Sequence, residues 1–417
     1  MIIAGAMLLP GDGSDTGPPL RLSEGWVRTD AGRIVEVHEG NLPATFDLGG
    51  EGCLISPGFI DTHLHLPQFD LIGTHGLSLL DWLEQVTFPA EGRWADADYA
   101  QEMTERVLDQ LAAVGTTGFA AYATVHHEAT RRALAASARR GFRAIVGQVL
   151  IDQEAPPAML RPTETCLVET ESLLSDWPSD PSQRGQGNRV CTAVTPRFAV
   201  TCSAELLRAA GELVRKYDAY VQTHLAEMKP ELEAVARLHG GPNYTSVYHR
   251  AGLLTPRTIL GHCIYLDDDE RALIAEAGSI AAHCPTANSF LRSGTMDRRR
   301  CQEMNMRLAL GSDIGGGYER SMIRVARAMI EASFYVGQTP PTSAEAWWQA
   351  TTGNADSLGW HDTARICEGA EADLVVFKPD VPWLEAHDPL GMVMFAYDDR
   401  WLQATVINGE LCYCAND

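Results

Sequence analysis

Pro57 to Gly73 reads PGFIDTHLHLPQFDLIG. A run of apolar β-formers ends in His63 and His65, and the period of two along a strand places both imidazoles on one face. Packing alone gives a buried strand no use for two polar rings on one side, because each buried ring nitrogen needs a partner. The partner has to come from elsewhere in the chain.

Seven more β-like runs follow the one that carries these histidines, CLISPGFIDTHLH. They are TTGFAAYA, RAIVGQVLI, RVCTAVTPRF, AYVQTHLAE, RTILGHCIY, SIAAHCPTA and RLALGSDIG. Amphipathic stretches separate them, among them Asp98 to Val114, Glu128 to Arg140, Ser203 to Lys216 and Asp267 to Ala277. Ser203 stands where a helix N-cap is wanted. Strand and helix alternating eight times with short turns predict an α/β fold, a distorted TIM (β/α)8 barrel over residues 57–365. Residues 1–56 and 366–417 carry short β-like pieces, GWVRTDAGRIVEVH, ADLVVFKPD and ATVINGELCYC among them, and little helix signal. The two tails are expected to form one small composite β-sandwich domain. The stretch from Ser179 to Asn188 reads as a surface loop.

In such a barrel the loops at the C-terminal ends of the strands converge on one mouth. The first run ends in His63 and His65, the fifth in His224, the sixth in His262, the seventh in His283 and the eighth in Asp313. Packing has no reason to put imidazoles and a carboxylate at corresponding ends of separate strands, whereas a metal ion needs several such donors converging. His/His/His/Asp donors suit Zn²⁺, and Fe²⁺ tolerates the same set. Glu227, three residues after His224, can reach the same mouth and serve as a proton shuttle.

Composition narrows the choice of function. The chain has 417 residues, 45% hydrophobic and 21% charged, with a formal charge of −22. Such a surface repels nucleic acid and anionic membranes but leaves a small neutral substrate unaffected. The apolar start, MIIAGAMLLPGDG, lacks a basic leader and is interrupted by Pro10, so it reads as a strand and the protein as cytoplasmic. Ten scattered cysteines read as free thiols, Cys412 and Cys414 included, and Cys263 and Cys284 should point away from the metal by alternation. The HHE of His126 to Glu128 lacks the P-C-x-x-C partner of small zinc deaminases. GSDIGGGYE has no G-K-[ST] after it and reads as a turn rather than a phosphate loop.

With PGFIDTHLH, His224, His262 and Asp313 in place, nearly the whole chain resembles the amidohydrolase superfamily, and its mononuclear deaminase branch in particular. No lysine on the fourth strand stands ready to bridge a second metal. Within that branch the stretches HLPQF, LDWLEQVTFPAE, TPRF, THLAE, NYTSVYHRAGLL, AHCPTAN and GSDIGGGY resemble the guanine deaminases. The resemblance implies His63, His65, His224 and Asp313 as ligands of one Zn²⁺ per chain. It implies Glu227, His262 and Asp313 as the catalytic groups, Gln68, Arg197 and Phe198 as the purine-holding ones, and a homodimer. The chain departs from that pattern at Ala226, where Ser is usual, at Gly92, where His is usual, and at Phe290. The expected reaction is hydrolysis of guanine to xanthine and ammonia. The rival readings are deamination of a related aminoheterocycle (8-oxoguanine, a pterin or an aminotriazine) and a non-catalytic scaffold homologue.

Overall fold

A computed structural model describes residues 1–11, 19–77, 79–183, 188–241 and 243–415. Asp12 and Gly13 of the first apolar run, and residues 184–187 of the expected Ser179–Asn188 loop, lie outside the described residues. The strands are β1 (Ile2–Pro10), β2 (Leu20–Asp30), β3 (Arg33–Glu39), β4 (Leu48–Pro57), β5 (Phe59–His65), β6 (Thr116–Tyr122), β7 (Arg143–Leu150), β8 (Val190–Pro196), β9 (Tyr220–Leu225), β10 (Thr258–His262), β11 (Ile280–His283), β12 (Arg307–Leu310), β13 (Leu374–Phe377), β14 (Leu402–Ile407) and β15 (Glu410–Cys414). β5 to β12 form one parallel eight-stranded sheet in chain order, with helices between the strands, which is the predicted barrel. Every residue of β5 to β8 is buried. A parallel strand covered on both faces reads as a continuous apolar run, and this is why these segments were legible. The helix Ala204–Tyr217 opens at Ser203, whose hydroxyl accepts the Leu206 N–H at 3.1 Å.

The run Cys53–His65, read as one strand from the sequence, is two. β4 lies in the other sheet and β5 begins the barrel, with Gly58 between them. A Cβ at position 58 would sit 2.1 Å from Thr117 Oγ1, so only glycine lets the chain pass β6 closely enough to change sheets. Both chain ends contribute to this second sheet, ordered β15-β14-β13-β4-β1-β2-β3, in which β13 pairs antiparallel with β4. Its side chains alternate as strand geometry requires. Ile3, Met7, Ile55, Leu374 and Val376 gather into one core. Leu8, Leu54, Val375 and Phe377 pack on the other side with the helices Met322–Tyr335 and Ser343–Trp348. A buried ionic cluster pins this region to the strand starts of the barrel. Arg143 Nη1 reaches Asp362 and Glu371 at 2.7 and 2.9 Å, and Arg189 pairs with Glu371 at 2.8 Å and with Asp373.

The barrel closes between its first and last strands mainly through side chains and loop backbone. The Asp313 N–H donates to the His63 carbonyl at 2.8 Å, and the His65 N–H to the Ile314 carbonyl at 3.0 Å. Below them, Asn354 Nδ2 donates to the carbonyls of Ile60 (2.7 Å) and Leu310 (2.8 Å), while its Oδ1 accepts the Leu310 N–H at 2.8 Å. The Asp61 carboxylate accepts the N–H groups of His63 and Ser312 and the Ser312 hydroxyl. Burial pushes this carboxyl up to about 7, against the donors that surround it.

Asn354→Leu keeps the size of the side chain and removes three hydrogen bonds to backbone groups at the seam. The expected loss is about 2–4 kcal/mol of unfolding free energy, read from the urea midpoint. An unchanged midpoint would mean that Asn354 does not hold the seam.

Candidate active site

The strand ends deliver the polar residues to one place. His65, Gln68, Arg197, Phe198, His224, Glu227, His262 and Asp313 all line a single cavity. His63 lies fully buried beside it. His283, at the end of β11, is buried but does not line the cavity, and neither do Cys263 and Cys284. Several turn residues here take the left-handed conformation that non-glycine residues rarely adopt: Ala226 (φ 52°), His262 (φ 72°), Cys263 (φ 50°) and Asp313 (φ 49°). Each sits where a strand gives way to its loop, and the surrounding fold bears the local cost of aiming His262 and Asp313 inward. Gly261 makes room for His63, since a Cβ there would lie 2.6 Å from His63 Cε1.

One carboxylate oxygen sits among the rings. Asp313 Oδ1 is 3.5 Å from His63 Nε2 and 3.3 Å from His65 Nε2, and Oδ2 is 3.8 Å from His262 Nε2. His224 Nε2 faces His65 Nε2 at 3.2 Å. His63, His224, His262 and Asp313 each offer a donor atom within 4.8 Å of the others, so that His262, expected as a catalytic group, stands as near the cluster as the expected ligands do. The ring nitrogens are set from outside. His224 Nδ1 lies 2.6 Å from the Arg197 carbonyl, which only accepts, so Nδ1 carries the proton and Nε2 presents its lone pair. His262 Nδ1 faces Asn288 Oδ1 at 2.8 Å.

The electrostatics suit a cation. Burial pushes His63 down to about 4, and it lowers His65 and, more strongly, His224, so these rings are neutral and their lone pairs available. Burial also works against the charged forms of Asp313 and His262, but it is outweighed in both. The histidines around Asp313 hold it well below the carboxylate range, and the carboxylates of Glu227 and Asp313 raise His262. Among the described residues, both nitrogens of His63 and Nδ1 of His65 are buried without a hydrogen-bond partner. Neutral imidazoles with unpaired nitrogens, arranged about a carboxylate, fit a divalent ion.

Glu227 lines the cavity beside this cluster. Its Oε2 is 3.3 Å from His262 Nε2 and its Oε1 accepts the Ser293 hydroxyl at 2.8 Å, while burial raises its pKa. Three residues were missed as site residues from the sequence. Ser293 and Asn288 orient Glu227 and His262. Glu91, wholly buried, accepts from Gln68 Nε2 at 2.8 Å and from Arg197 Nη1 at 2.8 Å on each oxygen. Glu91 and Asn288 fall in the quoted stretches LDWLEQVTFPAE and AHCPTAN, and Ser293 lies three residues after Phe290, but none stands at the end of a strand.

The amidohydrolase family profile matches residues 54–412. The chain is 34% identical to guanine deaminase of Escherichia coli K12 over 379 residues, 88% of this chain and 84% of that protein. It is 37% identical to guanine deaminase of Dictyostelium discoideum over 347 residues, 81% and 75% of the two chains. Its structure is similar to that of guanine deaminase from C. acetobutylicum with guanine bound in the active site, with a TM-score of 0.88 at 28% identity and 99% of each chain covered.

Two substitutions probe the cluster from different sides. His63→Ala removes a donor, and Gly261→Ala forces the His63 ring aside without touching any donor. Both proteins should fold and lose most of their bound metal, by elemental analysis after dialysis against a chelator. Full occupancy in His63→Ala would exclude His63 as a ligand.

Proposed function

Because the chain belongs to the amidohydrolase family, we propose that this cavity binds guanine and hydrolyses it to xanthine and ammonia, with His63, His65, His224 and Asp313 holding one Zn²⁺. The observation that carries the reading is the convergence on one cavity of a metal-competent cluster, a buried carboxylate at Glu227, and a donor and an acceptor at Arg197 and Gln68. The family likeness extends the reading to a cytoplasmic homodimer. Among the described residues no helix is long and apolar enough to cross a membrane.

The ion, when bound, supplies Lewis acidity that makes water nucleophilic near neutral pH. The chain's own groups do the rest. Asp313 accepts a proton from the attacking water as its oxygen bonds to C2 of the base. His262 lies beside both Asp313 and Glu227, so its cationic form stabilises the negative charge that develops there. Glu227 delivers a proton to the ring nitrogen next to C2. Its raised pKa suits a donor that must still hold its proton where an exposed carboxyl has lost it. The C2–N bond then breaks: the amino group leaves as ammonia with the proton that Asp313 took, the hydroxyl on C2 gives its proton back to Glu227, and C2 keeps the oxygen as a carbonyl. Ser293 holds Glu227 in place through Oε1 and leaves Oε2 toward His262. At the far end of the base, Arg197 donates to O6, Gln68 accepts from the N1–H, and Phe198 contributes an apolar wall.

In Glu227→Gln the shape is kept and the proton lost, so metal content should persist while kcat for guanine falls by about 10²-fold or more in an ammonia-release assay. Turnover within a few-fold of the parent would reduce Glu227 to a buried structural carboxylate. Arg197→Met removes the donor to O6. It should depress kcat/KM for guanine by about 2–4 kcal/mol of transition-state binding, and that for 2,6-diaminopurine much less, with metal content unchanged. A parent that ignores guanine but releases ammonia from 8-oxoguanine, a pterin or an aminotriazine would replace the substrate and leave the metal chemistry standing.

A further inference from the structure

Glu91 has no role in the chemistry above, yet it is 0% exposed and meets both residues that read the base. Its Oε1 takes one hydrogen bond from Gln68 and one from Arg197, and its Oε2 takes a second from Arg197, all at 2.8 Å. Two consequences follow from the chemistry of a carboxylate, which accepts and cannot donate. The Gln68 amide must turn its nitrogen toward Glu91, so its oxygen is the free end at the cavity wall, and Oε1 is buried with no partner among the described residues. Both bonds from Arg197 leave from Nη1, and the guanidinium lies over the Phe88 ring at 5.3 Å from the centroid, so its plane is fixed and Nη2 is left to donate. One buried anion thus makes Gln68 an obligate acceptor and fixes the direction in which Arg197, a donor in any setting, presents its remaining N–H groups.

We propose that Glu91 is the specificity-determining positioning residue of this site, fixing the Arg197-donor, Gln68-acceptor polarity that selects a base with an oxo group at position 6 and an N–H at position 1. The proposal rests on the reading of Gln68 and Arg197 as the purine contacts. A base with the opposite edge, an amino group at position 6 and a bare nitrogen at position 1, meets donor against donor and acceptor against acceptor. Specificity of this kind comes from unpaired buried groups in the wrong complex. Glu91 also neutralises Arg197, which otherwise would stand as an unpaired cation next to the strand end bearing His224.

The test uses metal-loaded full-length protein and compares kcat/KM for guanine and for 2,6-diaminopurine in the parent, Glu91→Gln and Glu91→Asp. In Glu91→Gln the new amide can donate to Gln68 as well as accept from it, so the Gln68 amide is free to turn over. The guanine-to-diaminopurine ratio should fall about tenfold or more, mainly through a higher KM for guanine, with metal content retained. Glu91→Asp keeps an acceptor-only partner and should hold the ratio within about threefold of the parent while raising KM for guanine. An unchanged ratio in Glu91→Gln, or an equal fall in both variants, overturns the proposal. If Glu91→Gln does not fold, Glu91→Asp decides alone: a preserved ratio with raised KM supports the assignment and a collapsed ratio overturns it. A parent inactive on guanine brings down the functional reading and this proposal with it, whereas an active parent with an unresponsive ratio brings down only the proposal.

Discussion

The hydrogen bond from the Asp313 N–H to the His63 carbonyl joins the last strand of the barrel to the first at the height where both deliver a side chain to the cavity. Closure and site assembly are therefore one event. β5 and β12 are joined there by loop backbone, by Asn354 and by Asp61 with Ser312, so the separation of His63 from Asp313 is set by polar contacts that include two spanning more than two hundred residues, Asn354 with Ile60 and Ser312 with Asp61. Left-handed residues at His262 and Asp313 and the bare Cα of Gly261 belong to the same constraint. The rings can crowd around one carboxylate only because the backbone gives way around them.

Burial then divides the titratable groups by task. Desolvation keeps His63, His65 and His224 neutral, which is the form that binds a metal, and raises Glu227, which is the form that gives up a proton. His262 is pulled the other way by the carboxylates of Glu227 and Asp313. Groups of similar intrinsic pKa are thus set apart in charge by a few ångströms of position, with Ser293, Asn288 and the Arg197 carbonyl fixing the orientation of Glu227, His262 and His224. Trp82, Leu83, Leu291 and Phe198 give the cavity low-dielectric walls, where an unmatched polar edge is most costly.

Much of this was readable beforehand because buried parallel strands write themselves as apolar runs. Each of the seven runs after His65 contains one barrel strand; His262 and His283 end theirs, His224 stands one residue before its strand's end and Asp313 three residues beyond. Ser203 was recognisable as a cap because a hydroxyl ahead of an amphipathic stretch has a local use. The break at Gly58 was not readable, since a strand leaving one sheet and a strand entering another are both apolar, and the reason for the glycine is Thr117 on a neighbouring strand. Glu91 left no local sign either. An acidic residue in a short helical turn reads as solvated until Arg197 and Gln68 are placed against it.

By itself the sequence determined which residue types stand at the strand ends, and with them the barrel and the availability of imidazole and carboxylate donors. Strand period and apolar runs are properties of neighbouring residues, so they survive in one dimension. The tertiary structure alone decided which of those donors face one another, including the approach of His262 to the same cluster as His63, His224 and Asp313, and which buried carboxylate meets Gln68 and Arg197. Distances between residues a hundred or more positions apart are set by the closing of the barrel and the packing of its loops, and no local pattern encodes them.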